Sequence, residues 1–598
     1  MRILGITMAQ DKRTQAKTRG FLARRSLVLW TVALTIAAGC LLIPRLGQRH
    51  LWEDEAVTAL LAQNTLRFGV PVNWDGSYLI SFAQISANKN FLEVRTPWLP
   101  YFLLAAVYGL LGTWSQHSTW VARLPFTLCA VACVPVFLHV VQRFTGNRRL
   151  AILSAILLTL SVNFLLYGRQ SRYYPLGMLL TLGVLWAYTR LDERPRLATV
   201  ACGLFAALLF HTHYVAWATF GVSLAAASAA VHRSPQRLKK VIIAFALSAV
   251  LAVPWLIVVG VYRLPSMPLS ERFWNAAVLF VWYLRDYHAL DMMPLMLLPA
   301  MLAALVRRST GRWQVDSSVA FAVILIVVTT VLCSVFTPQR REMTWHSDIR
   351  YTIHLLPLFS FLQAAALMRL WQWKKLLAPI AAGLLLFTNL LSWFPVRLYT
   401  LPAWAQAEVG LWKGSWGYEF GPRLSAAFWE KIRFPLPSYL HEITHDVAGP
   451  YGVASEFLRR NAQRGDEVMT WPPEAAEALR FSNPHLLFCH RWRPEWGARP
   501  AALDHLPLYV SQPTTRLQWI VDFEGDPDRI AEVLAQSGLA LRLQPISLGV
   551  FRMDMTKPEQ HRHAFMTPAG FPLEHDTLVY RRADPVSPPL GEPAVLRR

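Results

Sequence analysis

The first 400 residues alternate between long apolar blocks and short polar turns. Most blocks have the length, about 17–25 residues, that a helix needs to cross the hydrocarbon core of a bilayer. The pattern therefore predicts a polytopic α-helical membrane protein with about eleven transmembrane helices. We predict these helices at residues 26–43, 121–141, 151–167, 174–190, 197–210, 214–231, 241–261, 292–306, 319–336, 351–369 and 376–394.

Two further apolar stretches, 98–112 and 275–290, are short and mix aromatic with polar residues. Stretches of this kind favour helices that lie along the membrane interface. Basic turns separate the transmembrane helices in pairs, and cytoplasmic loops are the ones that carry an excess of Lys and Arg. The charge pattern predicts a cytoplasmic basic N-terminus at 1–25, an outer loop at 44–120, and an outer C-terminus (N-in, C-out).

The composition supports this class of protein and excludes others. Hydrophobic residues make up 54% of the chain and charged residues 16%, with a mean hydropathy of +0.30, which excludes intrinsic disorder and an all-soluble fold. Residues 1–400 carry 38 Lys and Arg against 14 Asp and Glu. Because this excess lies in the turns between apolar blocks, it indicates membrane insertion and argues against nucleic-acid binding. The six cysteines show neither a disulfide framework nor zinc spacing.

Polar and turn residues become frequent after the membrane part, which we assign to residues 26–395. Leu517–Phe523 has the composition of a strand, Pro527–Gly538 has the period of an amphipathic helix, and Ala540–Met553 again indicates strand. Alternating strands and helices predict a small soluble α/β domain at 396–598. An odd number of transmembrane helices puts this domain on the periplasmic, or extracytoplasmic, side.

Acidic residues of the membrane part fall mainly on the predicted outer side, with the densest cluster at Trp52-Glu53-Asp54-Glu55. One interpretation is structural: Asp54 caps a helix that begins near Ala56. The other is chemical: a carboxylate held at the membrane surface acts as general base on a hydroxyl acceptor. The residues alone leave both interpretations open.

Cationic and aromatic residues are predicted on the same side. Arginines outside a membrane run against the usual charge bias, so several together indicate an anionic partner, either lipid headgroups or a bound phosphate. His211 and His213 with Asp54 are candidates for a metal, although side chains two positions apart at a helix end diverge. The candidates for anion or substrate binding are Glu93, Arg95, Arg169, Arg172, Tyr173, His346, Arg350 and Tyr351.

Several of these residues lie in motifs that together resemble the GT-C glycosyltransferases. The resemblance is to family 39, the dolichyl-phosphate-mannose protein mannosyltransferase-like group, and to the lipid A aminoarabinose transferases. It covers about residues 26–395, and this chain has Tyr173-Tyr174 where the aminoarabinose transferases have a second-loop aspartate. The motifs are Asp54-Glu55-Ala56, Glu93-Val-Arg95-Thr-Pro97, Val121-Ala-Arg123-Leu-Pro125, Arg169-Gln-Ser-Arg172-Tyr173-Tyr174-Pro175 and Arg350-Tyr351 followed by Leu355-Leu-Pro357.

The resemblance implies an enzyme of the cell inner membrane that moves a sugar from a polyprenyl-phosphate donor to a hydroxyl of a lipid, glycan or protein. Asp54 is then the base, and Glu55 aids orientation or acceptor binding. Arg172 and Arg350 are expected to bind the lipid phosphate, with Arg95 and His346 as further contacts. No cofactor beyond the sugar donor is required, and a divalent metal stays open. A single displacement without a second carboxylate nucleophile implies inversion at the anomeric carbon.

Two other classes of function stay open at the level of sequence. A flippase or transporter for lipid-linked glycans needs a continuous polar path, and ionisable residues within transmembrane helices are its usual sign. None of the acidic residues falls in the middle of a predicted helix. A non-catalytic scaffold that presents the outer domain would not depend on Asp54 and would bind no polyprenyl phosphate.

Overall fold

The computed structural model describes residues 26–74, 78–80, 91–260, 269–309, 312–337, 349–393, 434–445, 449–471, 473, 475–489, 517–523, 527–536, 539, 541, 543–552 and 574–582. Helices account for most of the described residues, and a five-stranded sheet forms near the C-terminus. His346, one of the candidate phosphate contacts, lies outside the described residues.

A helix occurs at each of the eleven predicted positions. The helices of this part are α1 (Ser26–Leu42), α2 (Glu53–Phe68), α3 (Leu99–Leu111), α4 (Thr119–Thr145), α5 (Arg148–Leu160), α6 (Val162–Gly168), α7 (Tyr174–Tyr188), α8 (Pro195–Phe210), α9 (Tyr214–Ala227), α10 (Pro235–Val259), α11 (Leu269–Ala289), α12 (Leu298–Leu305), α13 (Ser317–Phe336), α14 (Leu356–Trp373), α15 (Leu377–Phe387) and α16 (Leu390–Trp393).

Five of these helices are long and apolar enough to cross a membrane. They are α4, α9 with its extension to His232, α10, α13, and α14 taken from Ile353. Helices α5 and α6 make a sixth if they count as one span, although they meet at a bend of 61°. The apolar helices α1, α3, α7, α8, α12 and α15 are shorter. The structure therefore supports five or six membrane spans, and the number eleven stays a prediction.

Small residues allow several of these helices to pack closely. A Cβ atom at Gly203 of α8 would come within 2.9 Å of the Ala244 carbonyl of α10. A Cβ atom at Gly221 of α9 would come within 2.5 Å of the Phe245 ring. Helices in a bilayer associate through such close backbone approaches, because lipid gives them no hydrophobic drive to pack together. The glycines thus fix how near α8 and α9 come to α10.

Strands occur in two places. In the basic turn before α13, β1 (Val306–Ser309) and β2 (Arg312–Val315) pair as an antiparallel hairpin. The C-terminal elements form a sheet of order β4-β3-β5-β7-β6, in which β4, β3 and β5 are parallel and the other two strands add antiparallel. These elements are α17 (Pro435–Thr444), α18 (Pro450–Asn461), β3 (Glu467–Trp471), α19 (Ala475–Ser482), β4 (Leu487–Cys489), β5 (Leu517–Asp522), α20 (Pro527–Gln536), β6 (Leu543–Arg552) and β7 (Glu574–Arg582).

The C-terminal elements dock directly on α2. Phe481 of α19 is fully buried in a cluster with the alanines of α2. The His50 ring, just before α2, is hydrogen-bonded to the Ser482 hydroxyl at 2.9 Å. Burial lowers the pKa of His50 to about 4, and the charges of Arg123 and Arg459 add to this effect. His50 is therefore neutral at physiological pH, and its protonation state does not change between pH 6 and 8.

Helix α3 is one of the shorter apolar helices, and its position along the interface stays a prediction. Its 13 residues span about 20 Å, against about 30 Å for the hydrocarbon core. Its residues Leu104 and Tyr108 are fully buried in the same cluster as the alanines of α2. Arg95 before this helix and Thr113 after it are both exposed.

We predict that both ends of α3 face the outside. In a variant without the six native cysteines, Arg95→Cys and Thr113→Cys should each react with an impermeant thiol reagent added to intact cells. Arg194→Cys, in a predicted cytoplasmic turn, is the control that should react only after the membrane is opened. Outside labelling of one end of α3 but not of the other would show that this helix crosses.

Candidate active site

The site is built around the first turn of α2, which holds three consecutive acidic residues. The helix begins at Glu53 with Trp52 at its N-cap, so the expectation that Asp54 caps a helix starting near Ala56 is wrong. The reason is local, because the Glu55 carboxylate reaches back to accept the Trp52 backbone N–H at 3.4 Å. Acidic residues in a first turn are also favoured by the helix dipole.

Asp54 lies between two guanidinium groups. Its Oδ1 is 3.2 Å from Nη2 of Arg172, and Nη1 of Arg350 donates to its Oδ2 at 2.5 Å. Only 7% of Asp54 is exposed. Arg172 also donates to the Thr58 hydroxyl at 3.1 Å, one turn along α2. Three segments that are far apart in the sequence therefore meet at one carboxylate: the start of α2, the loop before α7, and the 3₁₀ turn Ile349–Tyr351.

Glu55 is engaged with protein partners on both of its oxygens. Arg123 of α4 donates to both oxygens, from Nε at 2.8 Å and from Nη2 at 2.6 Å. The Ser171 N–H donates to the same carboxylate at 2.8 Å, and this residue directly precedes Arg172. The remaining N–H groups of Arg123 donate to backbone carbonyls at 46, 49 and 50. Glu55 thus positions the loop that carries Arg172.

Arg123 is a residue whose role the sequence did not reveal. It lies within the motif Val121-Ala-Arg123-Leu-Pro125, but no local signal tells which acid it pairs with. The position of Arg123 in the sequence does indicate that it has acceptors, because a lone arginine near the start of an apolar helix needs a counter-charge or carbonyl oxygens. Both oxygens of Glu55 and three backbone carbonyls provide these acceptors.

Glu53 links the first turn of α2 to the C-terminal part of the chain. Its carboxylate accepts a hydrogen bond from the hydroxyl of Tyr451 at the start of α18. The Tyr451 ring in turn contacts Phe523 with centroids 4.7 Å apart. Each acidic residue of the turn therefore has its own set of partners, and the sets come from different parts of the chain.

Aromatic rings form one wall beside the two arginines. The rings of Tyr173 and His213 lie with centroids 4.6 Å apart, and those of His213 and Tyr351 lie 5.5 Å apart. The Arg172 guanidinium lies 5.5 Å from the Tyr173 ring. Tyr173 and Tyr351 thus flank the arginines they follow in sequence, as the Arg-Tyr pairs of the motifs suggest.

Three other candidates have contacts within their own segments or with the C-terminal part. Glu93 organises its own turn, because it accepts the N–H groups of Arg95 and Thr96 at 3.0 and 3.2 Å and the Asn73 amide at 3.1 Å. The Arg95 side chain is exposed. Arg169 donates to the Tyr439 hydroxyl at 3.4 Å. For these three residues the structure gives local partners, and a role in substrate binding stays a prediction.

The metal site considered from the sequence does not form among the described residues. Nδ1 of His213 accepts the Ala216 N–H at 3.0 Å, as the N-cap of α9, while the His211 ring packs against Trp98. Within the described part of the chain, no three His, Cys, Asp or Glu side chains come together as metal ligands. The two histidines diverge because they lie two positions apart at a helix junction.

Two solved structures resemble the chain over nearly its whole length. ArnT from Cupriavidus metallidurans bound to undecaprenyl phosphate superposes with a TM-score of 0.54 at 16% sequence identity, covering 95% of this chain and 100% of that chain. The apo state of the same protein gives a TM-score of 0.50 at 16% identity, covering 94% and 98%. No family model matches the sequence, and no curated protein matches it.

At this identity the likeness concerns the fold and not the activity. It extends through the transmembrane helices and into the C-terminal part, since the chain of ArnT is covered in full. The resemblance that the motifs indicated is confirmed at the level of the fold, because the chain shares the fold of ArnT.

Proposed function

We propose that the protein is a multi-pass glycosyltransferase of the inner membrane that transfers a sugar from a polyprenyl-phosphate donor to a hydroxyl acceptor on the outer face. One observation carries this proposal: a buried carboxylate, Asp54, lies between the guanidinium groups of Arg172 and Arg350. Transfer of a sugar from a lipid phosphate requires a base for the acceptor hydroxyl and cationic groups that bind the phosphate. The acceptor is a hydroxyl of a lipid, glycan or protein.

The two arginines suit a phosphate that arrives on a lipid. Guanidinium groups match phosphate oxygens in geometry and stay charged at all relevant pH values. An enzyme that works outside the cytoplasm has no access to nucleotide sugars, so its activated sugar has to be lipid-linked. The ArnT structure with the same fold is bound to undecaprenyl phosphate, which supports this class of donor.

The reaction is a single displacement at the anomeric carbon. The acceptor oxygen forms the new bond, the bond from the anomeric carbon to the phosphate oxygen breaks, and the acceptor proton moves to Asp54. The bond electrons stay on the departing polyprenyl phosphate, whose negative charge Arg172 and Arg350 neutralise. One displacement inverts the configuration.

The contacts of Asp54 add a step to this scheme. Without the donor, the two arginines are paired with the carboxylate, and a carboxylate held between two cations is a poor base. A phosphate that binds the same guanidinium groups competes for them and so weakens their hold on Asp54. Donor binding would thereby raise the basicity of Asp54 at the moment the acceptor has to lose its proton.

The remaining residues have supporting roles in the proposed reaction. Glu55 and Arg123 fix the loop that carries Arg172, while Tyr173 and Tyr351 form a wall against which the sugar or the first isoprene unit packs. The domain at 396–598 holds the acceptor and, through Tyr451, keeps the first turn of α2 in place. The topology of eleven spans, with the N-terminus inside and this domain outside, is part of the same proposal.

Asp54→Asn tests the base directly. Asparagine keeps the shape but cannot take the acceptor proton, so transfer should fall on the order of 10²–10⁴-fold. Polyprenyl-phosphate binding should be kept or tightened, because both guanidinium groups are released from the carboxylate. Transfer is measured with a polyprenyl-phosphate sugar, and Glu271→Gln, an exposed acid, is the control. Near-normal transfer by Asp54→Asn would remove Asp54 from the mechanism.

Arg350→Gln tests the phosphate contact. A charge-assisted hydrogen bond contributes about 1.5–3 kcal/mol, so the affinity for polyprenyl phosphate should fall about 10- to 150-fold. Arg67→Gln is the matched control, because Arg67 is exposed at the far end of α2. If Arg350 only balances the charge of Asp54, its replacement will leave the affinity for polyprenyl phosphate unchanged.

Tyr451→Phe tests the link from the C-terminal part to the site. The ring stays, but Glu53 loses a hydrogen bond, and we expect about a tenfold lower transfer rate, or ~1.4 kcal/mol, with unchanged donor affinity. Tyr287→Phe, which removes a similar hydroxyl contact to Thr330 between α11 and α13, should keep full activity. Equal effects of the two variants would argue that Tyr451 contributes only to stability.

A further inference from the structure

A second carboxylate, that of Asp291, is half-buried and forms no salt bridge among the described residues. Asp291 follows α11, in a turn outside the five long membrane-spanning helices, with a backbone φ of 57° that is unusual for a residue other than glycine. The Ser392 hydroxyl donates to its carboxylate. In the described part of the chain no Lys, Arg or His forms a salt bridge with it, whereas arginines pair with Asp54, Glu55 and Asp286. A carboxylate that is partly withdrawn from water and lacks a charged partner is stabilised by a bound cation.

Asp291 borders a small cavity lined by α5, α6, α14, α15 and the turn 290–292, which we name the Asp291 cavity. Two amides on its wall donate to backbone carbonyls: Asn163 to that of Leu290 at 2.6 Å, and Gln363 to those of Asp291 and Met292 at 2.7 and 2.9 Å. Their side-chain oxygens are the acceptor atoms that these amides can offer to a ligand.

The break between α5 and α6 lies on the same wall, where the Leu158 and Ser161 carbonyls each accept one backbone N–H and keep a second lone pair. The two helices meet at Ser161 with a bend of 61°, and Leu157, Leu160 and Ser161 line the Asp291 cavity. The last carbonyls of a helix lack partners within the helix and carry its negative dipole end. Broken membrane helices use such carbonyls to coordinate cations. Ser360, which is 2% exposed, contributes a hydroxyl to the same cavity.

We propose that the Asp291 cavity binds a monovalent cation, with Na⁺ as the best match. Asp291 is the charged ligand, and the oxygens of Asn163, Ser360 and Gln363 complete the set with carbonyls at the α5–α6 break. Hard cations prefer oxygen ligands of this kind. The single carboxylate favours a single charge, because divalent ions are usually held by more than one. The ion would join α5, α6, α11 and α14 at the point where α5 bends.

The site is tested on the full-length protein in detergent by binding of ²²Na⁺ and by thermal unfolding in NaCl or choline chloride at equal ionic strength. We expect saturable binding of one ²²Na⁺ per chain and a rise in Tm with NaCl that choline does not give. Asp291→Asn should abolish both effects. Asparagine suits this test, because it tolerates positive φ and can still accept the Ser392 hydrogen bond. Asp192→Asn, at an exposed acid that pairs with Arg237, should keep both effects.

A second variant separates ligand loss from misfolding. Ser360→Ala removes one oxygen but no charge, so it should weaken ²²Na⁺ binding several-fold while its Tm in choline chloride stays near that of the wild type. Na⁺-dependent stabilisation that survives in Asp291→Asn would overturn the proposal. So would equal Tm values in NaCl and choline chloride for the wild type, since they would mean that the carboxylate is simply protonated.

Discussion

The burial of three consecutive carboxylates in the first turn of α2 is the constraint on which the rest of the site depends. Each carboxylate loses its water and has to find hydrogen-bond donors or cations within the protein. Glu55 takes Arg123 and a backbone N–H, Asp54 takes Arg172 and Arg350, and Glu53 takes a tyrosine hydroxyl from the C-terminal part. One helical turn thus ties α4, the loop before α7, the 3₁₀ turn before α14, and α18 to a single point.

The three acids have different chemical possibilities because their partners differ. Glu55 is held by both donors of Arg123, and the other N–H groups of Arg123 donate to backbone carbonyls. Arg123 is therefore committed to protein acceptors, and its pairing with Glu55 serves the structure. The partners of Asp54 are two arginines on separate segments, and an incoming anion can attract each of them. A carboxylate that shares its partners with a substrate responds to that substrate, whereas one with dedicated partners only supports the structure.

The sequence predicts features that depend on a run of consecutive residues, such as helices and strands. It does not reveal which distant residues form ion pairs. Apolar length located the helices, and strand-like composition indicated β5. The sequence predicted Arg172 and Arg350 on the same side as Asp54 and as phosphate contacts, but not that both pair with its carboxylate. The substrate-binding role of Glu93 stays a prediction, and nothing in the sequence around it indicated that its carboxylate also accepts backbone N–H groups of its own turn. The pairing of Arg123 with Glu55 could not be predicted, because two residues 68 positions apart share no periodic pattern in the sequence.

The separation of these partners along the chain has a consequence for how the protein is made. The Asp54 carboxylate emerges from the ribosome 296 residues before Arg350, a gap of about 15–60 s at ordinary rates of synthesis. During that interval Asp54 can pair with Arg172 but not with Arg350, so its second oxygen still needs water or another donor. The centre of the site is therefore completed late, only after the segment that carries Arg350 has been made, and an unfinished chain lacks one of its two proposed phosphate contacts.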